Sequence, residues 1–184
     1  ITFFKYLLLI LSSLKKIKHF NMKSRHFLLV FLLQVVAISV QAARVDTVFV
    51  KSPSMNKDIK VVYILPDKTM AEHPQACPVI YLLHGYSGNA RSWIGLKPEL
   101  PQIADEKGII FVCPDGKNSW YWDSPKNPAY RYETFISSEL VNYTDTHYAT
   151  IPEKRARAIS GLSMGGHGAL WNAIRHKDIF GAAG

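Results

Sequence analysis

Gly161-Leu162-Ser163-Met164-Gly165 constrains the fold of this chain more than any other stretch. It lies between a strand-like run, residues 155–160, and a small-residue helix start, residues 165–170. A serine on a sharp strand-to-helix turn takes strained dihedrals, so the positions two before and two after it must be almost without side chain. Glycine fills both. By composition alone such a pattern arises in about one chain of this length in fifteen to twenty, and few of those matches would sit between a strand and a helix. Ser163 is therefore the candidate nucleophile.

The chain opens on Ile1 and stops at Gly184 just after an apolar stretch has begun, so further sequence is expected around it. Met22 is followed by Lys23 and Arg25, an apolar run over residues 27–38, and Val40-Gln41-Ala42 before Ala43. Those are the three regions of a secretory signal peptide, and the run is short of the roughly 20 residues of a membrane span. Residues 1–21 read as upstream or leader sequence, residues 22–42 as the signal peptide, and residues 43–184 as the N-terminal portion of an exported folded domain, with no membrane contact after cleavage. Six of the 22 Lys and Arg precede Ala43 and no acid does. From Ala43 onward 16 basic side chains face 14 acidic ones, a net +2, which gives a nucleic-acid partner no support.

Export permits a disulfide, and Cys77 and Cys113 are the candidates. Cys77 precedes an apolar run over residues 79–83, whereas Cys113 ends one over residues 109–113. In neighbouring parallel strands those positions lie roughly 15 Å or more apart, beyond the ~7 Å Cα separation a bridge tolerates. Two buried free thiols are expected.

Residues 45–51 and 59–65 read as a first strand pair, the second alternating around Lys60, Val62 and Ile64. The continuous apolar runs 78–83 and 108–113 have the pattern of parallel strands buried on both faces. Between them residues 98–107 suit a short helix with Pro101 in its first turn and Gly108 as its stop. Residues 133–147 form a longer helix with Phe135, Ile136, Leu140 and Tyr143 on one face. Residues 155–160 make the next strand, residues 163–176 its crossover helix, and residues 180–183 begin another strand. Strands alternating with helices predict an α/β layer fold with a mostly parallel sheet. Catalytic loops then belong at the carboxyl ends of the strands, where His84-Gly85-Tyr86, Pro114-Asp115-Gly116 and the Ser163 turn all fall.

A serine attacking an acyl carbonyl needs two preorganised donors for the oxyanion. The Met164 N–H follows the nucleophile, and the loop His84-Gly85-Tyr86-Ser87-Gly88-Asn89 supplies the second, read as the Tyr86 N–H. His84 is read first as a brace for that loop, because it precedes Ser163 whereas the base of this arrangement follows it. His84, Trp93, Trp122 and Asp123 are also candidate substrate contacts. Trp120-Tyr121-Trp122-Asp123-Ser124 could wall a pocket as readily as pack, and Asp123 suits a cap or salt bridge as well as a substrate hydroxyl. The sequon Asn142-Tyr143-Thr144 falls inside the predicted helix and is discounted.

Ser52-Pro53-Ser54-Met55-Asn56-Lys57-Asp58-Ile59, Tyr81-Leu82-Leu83-His84-Gly85, Tyr132-Glu133-Thr134-Phe135 and Ile159-Ser160-Gly161-Leu162-Ser163-Met164-Gly165-Gly166 occur together and in order. In them the chain resembles the putative-esterase family of α/β hydrolases, which includes S-formylglutathione hydrolase, tributyrin and feruloyl esterases and the antigen 85 mycolyltransferases. The resemblance implies the α/β-hydrolase fold, Ser163 as nucleophile, and the Tyr86 and Met164 amides as oxyanion hole. It implies no cofactor and no metal, and a small-molecule or carbohydrate ester as the partner.

The family's acid and histidine lie downstream of the nucleophile. Here only Asp178, His167 and His176 follow Ser163. His176 is thirteen positions along the same helix, about 20 Å away by helical rise, and His167 is one turn on and directed by the helix. A serine without a base is a weak nucleophile, so residues 43–184 alone are expected to be inactive. The leading reading is an exported serine esterase acting on short acyl or aryl esters, carbohydrate-linked ones included. Acyl transfer, a thioesterase role, and a non-catalytic binding domain that keeps the fold are the alternatives.

Overall fold

The computed structural model describes residues 43–184, and the leader and signal-peptide expectations fall on residues outside that range. Six strands form one sheet: β1 Arg44–Ser52, β2 Lys57–Leu65, β3 Val79–Leu83, β4 Ile110–Pro114, β5 Arg157–Gly161 and β6 Ala182–Ala183. Their spatial order is β1-β2-β4-β3-β5-β6. β1, β2 and β4 pair antiparallel, whereas β4, β3, β5 and β6 run parallel. Helices α1 Ser92–Leu96 and α2 Leu100–Lys107 connect β3 to β4. The β4–β5 connection carries α3 Tyr132–Thr134, a π-helical stretch Phe135–Glu139, and α4 Leu140–His147; α5 Met164–Arg175 follows β5.

The apolar runs of β3 and β4 have no polar alternation because both sheet faces are covered. Val79, Tyr81, Leu83, Ile110, Val112 and Ile159 pack with Phe135, Ile136, Leu140, Met164 and Ala169 on one side. Ile80, Leu82, Phe111 and Cys113 pack with Leu100, Ala104 and Trp93 on the other. The same covering corrects the reading of β2. Its alternation stops at Lys60, and Val61 to Leu65 are all buried, because β2 lies inside the sheet between β1 and β4.

Gly108, at φ 63°, ends α2 in the left-handed conformation that glycine adopts at least cost. The fifth strand starts two residues later than the sequence pattern, since Lys154–Ala156 form a 3-10 turn. The expected helix 133–147 is present but wound through a π turn, in which the Ser137 hydroxyl donates to the Glu133 carbonyl at 2.7 Å. At its end Glu139 accepts from the Ser52 hydroxyl at 2.6 Å and the Ser54 N–H at 2.8 Å, anchoring the β1–β2 turn. The Thr144 hydroxyl of the discounted sequon is buried and donates to the Leu140 carbonyl. Cys77 and Cys113 are buried and free, as the strand register requires.

Candidate active site

β3, β4 and β5 are neighbours, so the loops leaving their carboxyl ends meet on one edge of the sheet. Ser163 has φ 54° and ψ −115°, a conformation that costs an L residue about 1–3 kcal/mol and persists only where the surroundings impose it. They do so through backbone-to-backbone packing. A Cβ on Gly161 would stand 2.8 Å from the Gly165 Cα, and one on Gly165 would stand 2.6 Å from the Leu83 carbonyl carbon and 2.8 Å from the His84 oxygen. The Leu162 N–H donates to the Leu83 oxygen at 3.2 Å, tying the turn to the end of β3. Ser163 is left exposed at the start of α5, where the helix presents unpaired N–H groups.

The loop after β3 passes directly over this serine. A Cβ on Gly85 would lie 3.7 Å from the Ser163 Cβ and 3.3 Å from the Leu162 oxygen. The Gly88 N–H closes a turn onto the Gly85 oxygen at 3.0 Å, with Ser87 in the left-handed region at φ 62°. Neither the Tyr86 nor the Met164 N–H has an acceptor among the described residues, and the Tyr86 side chain is exposed. Ser163, Met164 and the Gly85–Tyr86 backbone thus come together. An open cleft of about 330 Å³ beside them is lined by Tyr86, Ser87, Gly88, Ser92, Leu96 and Leu162.

His84 is only 1% exposed, with both ring nitrogens engaged within the protein. Nδ1 lies 2.7 Å from the Gly85 oxygen, and Nε2 accepts from the Gly116 N–H at 2.9 Å, which fixes Nδ1 as the protonated nitrogen. This geometry braces the loop and leaves the ring no face for a substrate. Burial opposes ionisation of the adjacent Asp115, but donors outweigh it and hold the carboxyl well below the usual range. The Lys117 N–H and ammonium stand at 3.0 and 2.9 Å. His84 Nε2 is 3.7 Å from that carboxylate and is already committed to Gly116, so the lysine is the effective partner.

The remaining candidate contacts divide. The Trp93 indole N–H donates to the Leu83 oxygen at 3.0 Å, and its half-buried ring packs against the core, so it supports the end of β3. Asp123 accepts from the Thr134 N–H at 3.0 Å and hydroxyl at 2.5 Å and pairs with Arg131 at 3.3 Å. It caps the first turn of the α3 segment, and its oxygens are spent. Trp122 is 45% exposed and meets the His167 and Trp171 rings edge-on. His167 is thereby held among Trp120, Trp122 and Trp171, and His176 binds Glu133 at 2.9 Å. His176 is thus hydrogen-bonded away from Ser163, whereas His167 is held by ring contacts alone and its buried Nε2 has no hydrogen-bond partner among the described residues.

The roles of three residues that shape the site escaped the sequence reading. The Asn118 Oδ1 accepts from the Ser87 N–H at 2.8 Å, and the buried Tyr121 hydroxyl donates to the His84 oxygen at 3.1 Å. Glu133 collects the Trp171 indole, the Arg175 guanidinium and His176 at 2.7 to 2.9 Å, fastening α3 to the far end of α5. Burial works against its charge, yet Arg175, Trp171 and His176 together hold its carboxyl below the ordinary range. Glu133 stood inside a quoted family segment, whereas no periodicity marks Asn118 or Tyr121. Among the described residues no group of three or more His, Cys, Asp or Glu could hold a metal.

Residues 52–184 match the family described as "Putative esterase". The chain belongs to that family. An acetyl esterase of Caldicellulosiruptor saccharolyticus is 31% identical to this esterase-family chain over 136 residues, covering 70% of the chain and 50% of the relative. The MPT51/MPB51 antigen of Mycobacterium tuberculosis is 31% identical over 149 residues, covering 79% and 46%. A ferulic acid esterase structure superposes with a TM-score of 0.68 at 30% identity, over 77% of this chain and 56% of that one. The esterase-family chain therefore has the α/β-hydrolase fold expected from its motifs, and spans about half the length of the curated relatives it matches.

Proposed function

We propose that this chain is the N-terminal portion of an exported serine esterase that cleaves short acyl or aryl esters, carbohydrate-linked ones included, through an acyl-enzyme on Ser163. The observation that carries the reading is the strained Ser163 backbone, exposed at the start of α5 with the Gly85 backbone against its Cβ. Strain of this kind concentrates where a side chain must be presented to a substrate. In the proposed reaction the Ser163 Oγ attacks the acyl carbon, and the oxyanion takes the free Tyr86 and Met164 N–H groups. The alcohol departs, and water then releases the acid. The base for both steps comes from outside residues 43–184: His84 and His176 are hydrogen-bonded within the protein, and His167 stands one helical turn after Ser163 among the rings of Trp120, Trp122 and Trp171. Family membership and the esterases among the relatives support the chemistry, and the composition of residues 22–42 supports export.

Pre-steady-state hydrolysis of p-nitrophenyl acetate by the intact gene product tests this. A burst of about one p-nitrophenolate per enzyme, absent in Ser163→Ala, is expected. An unchanged burst in Ser163→Ala would remove Ser163 from the chemistry.

A further inference from the structure

The two N–H groups read as oxyanion donors stand on different elements, so the gap between them is set by tertiary contacts. The Tyr86 N–H belongs to the loop after β3, and the Met164 N–H opens α5. The first is aimed through its own peptide plane. The Gly85 oxygen takes the His84 Nδ1–H at 2.7 Å and the Gly88 N–H at 3.0 Å, and in a planar trans peptide the Tyr86 N–H then points the opposite way. A contact that fixes this loop against α5 would complete the pair.

Tyr121 makes that contact. It is fully buried, and its hydroxyl donates at 3.1 Å to the His84 oxygen, on the peptide unit just before the one that carries the Tyr86 N–H. Its own carbonyl accepts from the Asn172 Nδ2 at 3.0 Å, and that buried amide also donates to the Gly168 carbonyl at 2.8 Å, within α5. The side chain is wedged on both sides. A Cβ on Gly168 would stand 2.6 Å from the Tyr121 Cβ, and one on Gly116, just after β4, would stand 2.8 Å from the Tyr121 hydroxyl oxygen. Burial pushes this hydroxyl above the ordinary phenol range, so it keeps the proton it donates. The backbone bends to place it: Trp120 and Tyr121 have φ 59° and 58°, left-handed conformations that non-glycine residues hold only where the surroundings impose them. Filling the core requires neither two successive left-handed residues nor a hydroxyl.

We propose that Tyr121 is a positioning residue for the oxyanion hole, a strut that holds the loop after β3 and the start of α5 at the separation that lets the Tyr86 and Met164 N–H groups converge on one oxygen. This rests on the reading of Ser163 as the nucleophile.

Tyr121→Phe in the intact gene product tests it, because the ring stays and the hydroxyl alone is lost. The oxyanion exists in the transition state and not in the bound ester, so the loss should fall on kcat: about tenfold on p-nitrophenyl acetate, with KM within about twofold. Affinity for phenyl trifluoromethyl ketone, whose Ser163 adduct carries the same oxyanion, should fall by the same factor. Asn172→Ala cuts the link to α5 and should give the same signature. If the two links act as one strut, the double variant should lose little more than the worse single one. A kcat equal to that of the parent, a change in KM alone, or a lower kcat with unweakened ketone binding in Tyr121→Phe overturns the strut while leaving Ser163 as nucleophile. Hydrolysis undiminished in Ser163→Ala overturns the nucleophile reading and the strut with it.

Discussion

Gly165→Ala should damage catalysis far more than it damages folding, and the structure sets the size of both effects. A Cβ at Gly165 would overlap the Leu83 oxygen and stand 2.6 Å from the Leu83 carbonyl carbon and 2.8 Å from the His84 oxygen, where ordinary contact begins at 3.4 Å. All three atoms are backbone, so no side chain can swing aside. Relief requires a shift of roughly 1 Å, and β3 cannot supply it because it is hydrogen-bonded to β4 on one side and β5 on the other. The start of α5 must move, and Ser163 moves with it. Misplacement by about 1 Å costs on the order of a hundredfold in rate, whereas overpacking costs about 1–3 kcal/mol. In a protein of 150–250 residues each kcal/mol lowers Tm by roughly 2–4 °C. The assay is kcat/KM on p-nitrophenyl acetate beside calorimetric Tm for Gly165→Ala, Gly166→Ala and Gly95→Ala. Gly95 has nothing within 4 Å, so its substitution should stay within about threefold in rate, whereas Gly166, at 3.2 Å from the backbone oxygen of Gly161, should fall between the two. Gly165→Ala with a rate and Tm equal to those of Gly95→Ala would refute the claim that backbone packing imposes the Ser163 geometry.

Asn118→Ala should lower kcat on p-nitrophenyl acetate about tenfold with little change in KM, because Ser87 loses the acceptor that fixes the turn presenting the Tyr86 N–H; an unchanged kcat counts against it. Glu133→Gln should destabilise by about 1–3 kcal/mol in urea titrations at pH 7, since it weakens a carboxylate with three donors. The folded Glu133 pKa is depressed, so that stabilisation exists above the unfolded value of 4.5 and fades as pH falls through the folded one; the gap between wild type and Glu133→Gln should narrow as pH falls below 4.5. Asp115 is held lower still, so its ionic contacts should outlast those of Glu133 on acidification, read by NMR of its carboxyl carbon. Burial pushes the Cys113 thiol up to about 12, so native alkylation at pH 8 mapped by mass spectrometry should leave Cys113 unmodified.

Much of this architecture was legible because it follows from short-range rules. Apolar runs without alternation identified β3 and β4 as doubly covered parallel strands, and the Gly161–Gly165 spacing identified the turn whose steric demand the contacts of Gly165 explain. The π turn was not legible, because the Glu139 anchor to Ser52 depends on a partner 87 residues away and the local bond from the Ser137 hydroxyl to the Glu133 carbonyl leaves no mark in the apolar pattern. Nor were the roles of Trp93 and Asp123. Each residue type suits a pocket as well as a core or a cap, and only the position of the Leu83 carbonyl and of the Thr134 amide decides between them. Asn118 escaped for a related reason: its use is to accept from one backbone N–H across 31 residues, which leaves no periodic trace.

Ser163 is proposed as a nucleophile that the intact protein makes reactive. Treatment of the intact gene product with a fluorophosphonate, followed by peptide mass spectrometry, tests it most directly. A single stoichiometric adduct on Ser163 is expected, with loss of p-nitrophenyl acetate hydrolysis in step with labelling. An adduct on another serine, or hydrolysis that survives full labelling of Ser163, would contradict it.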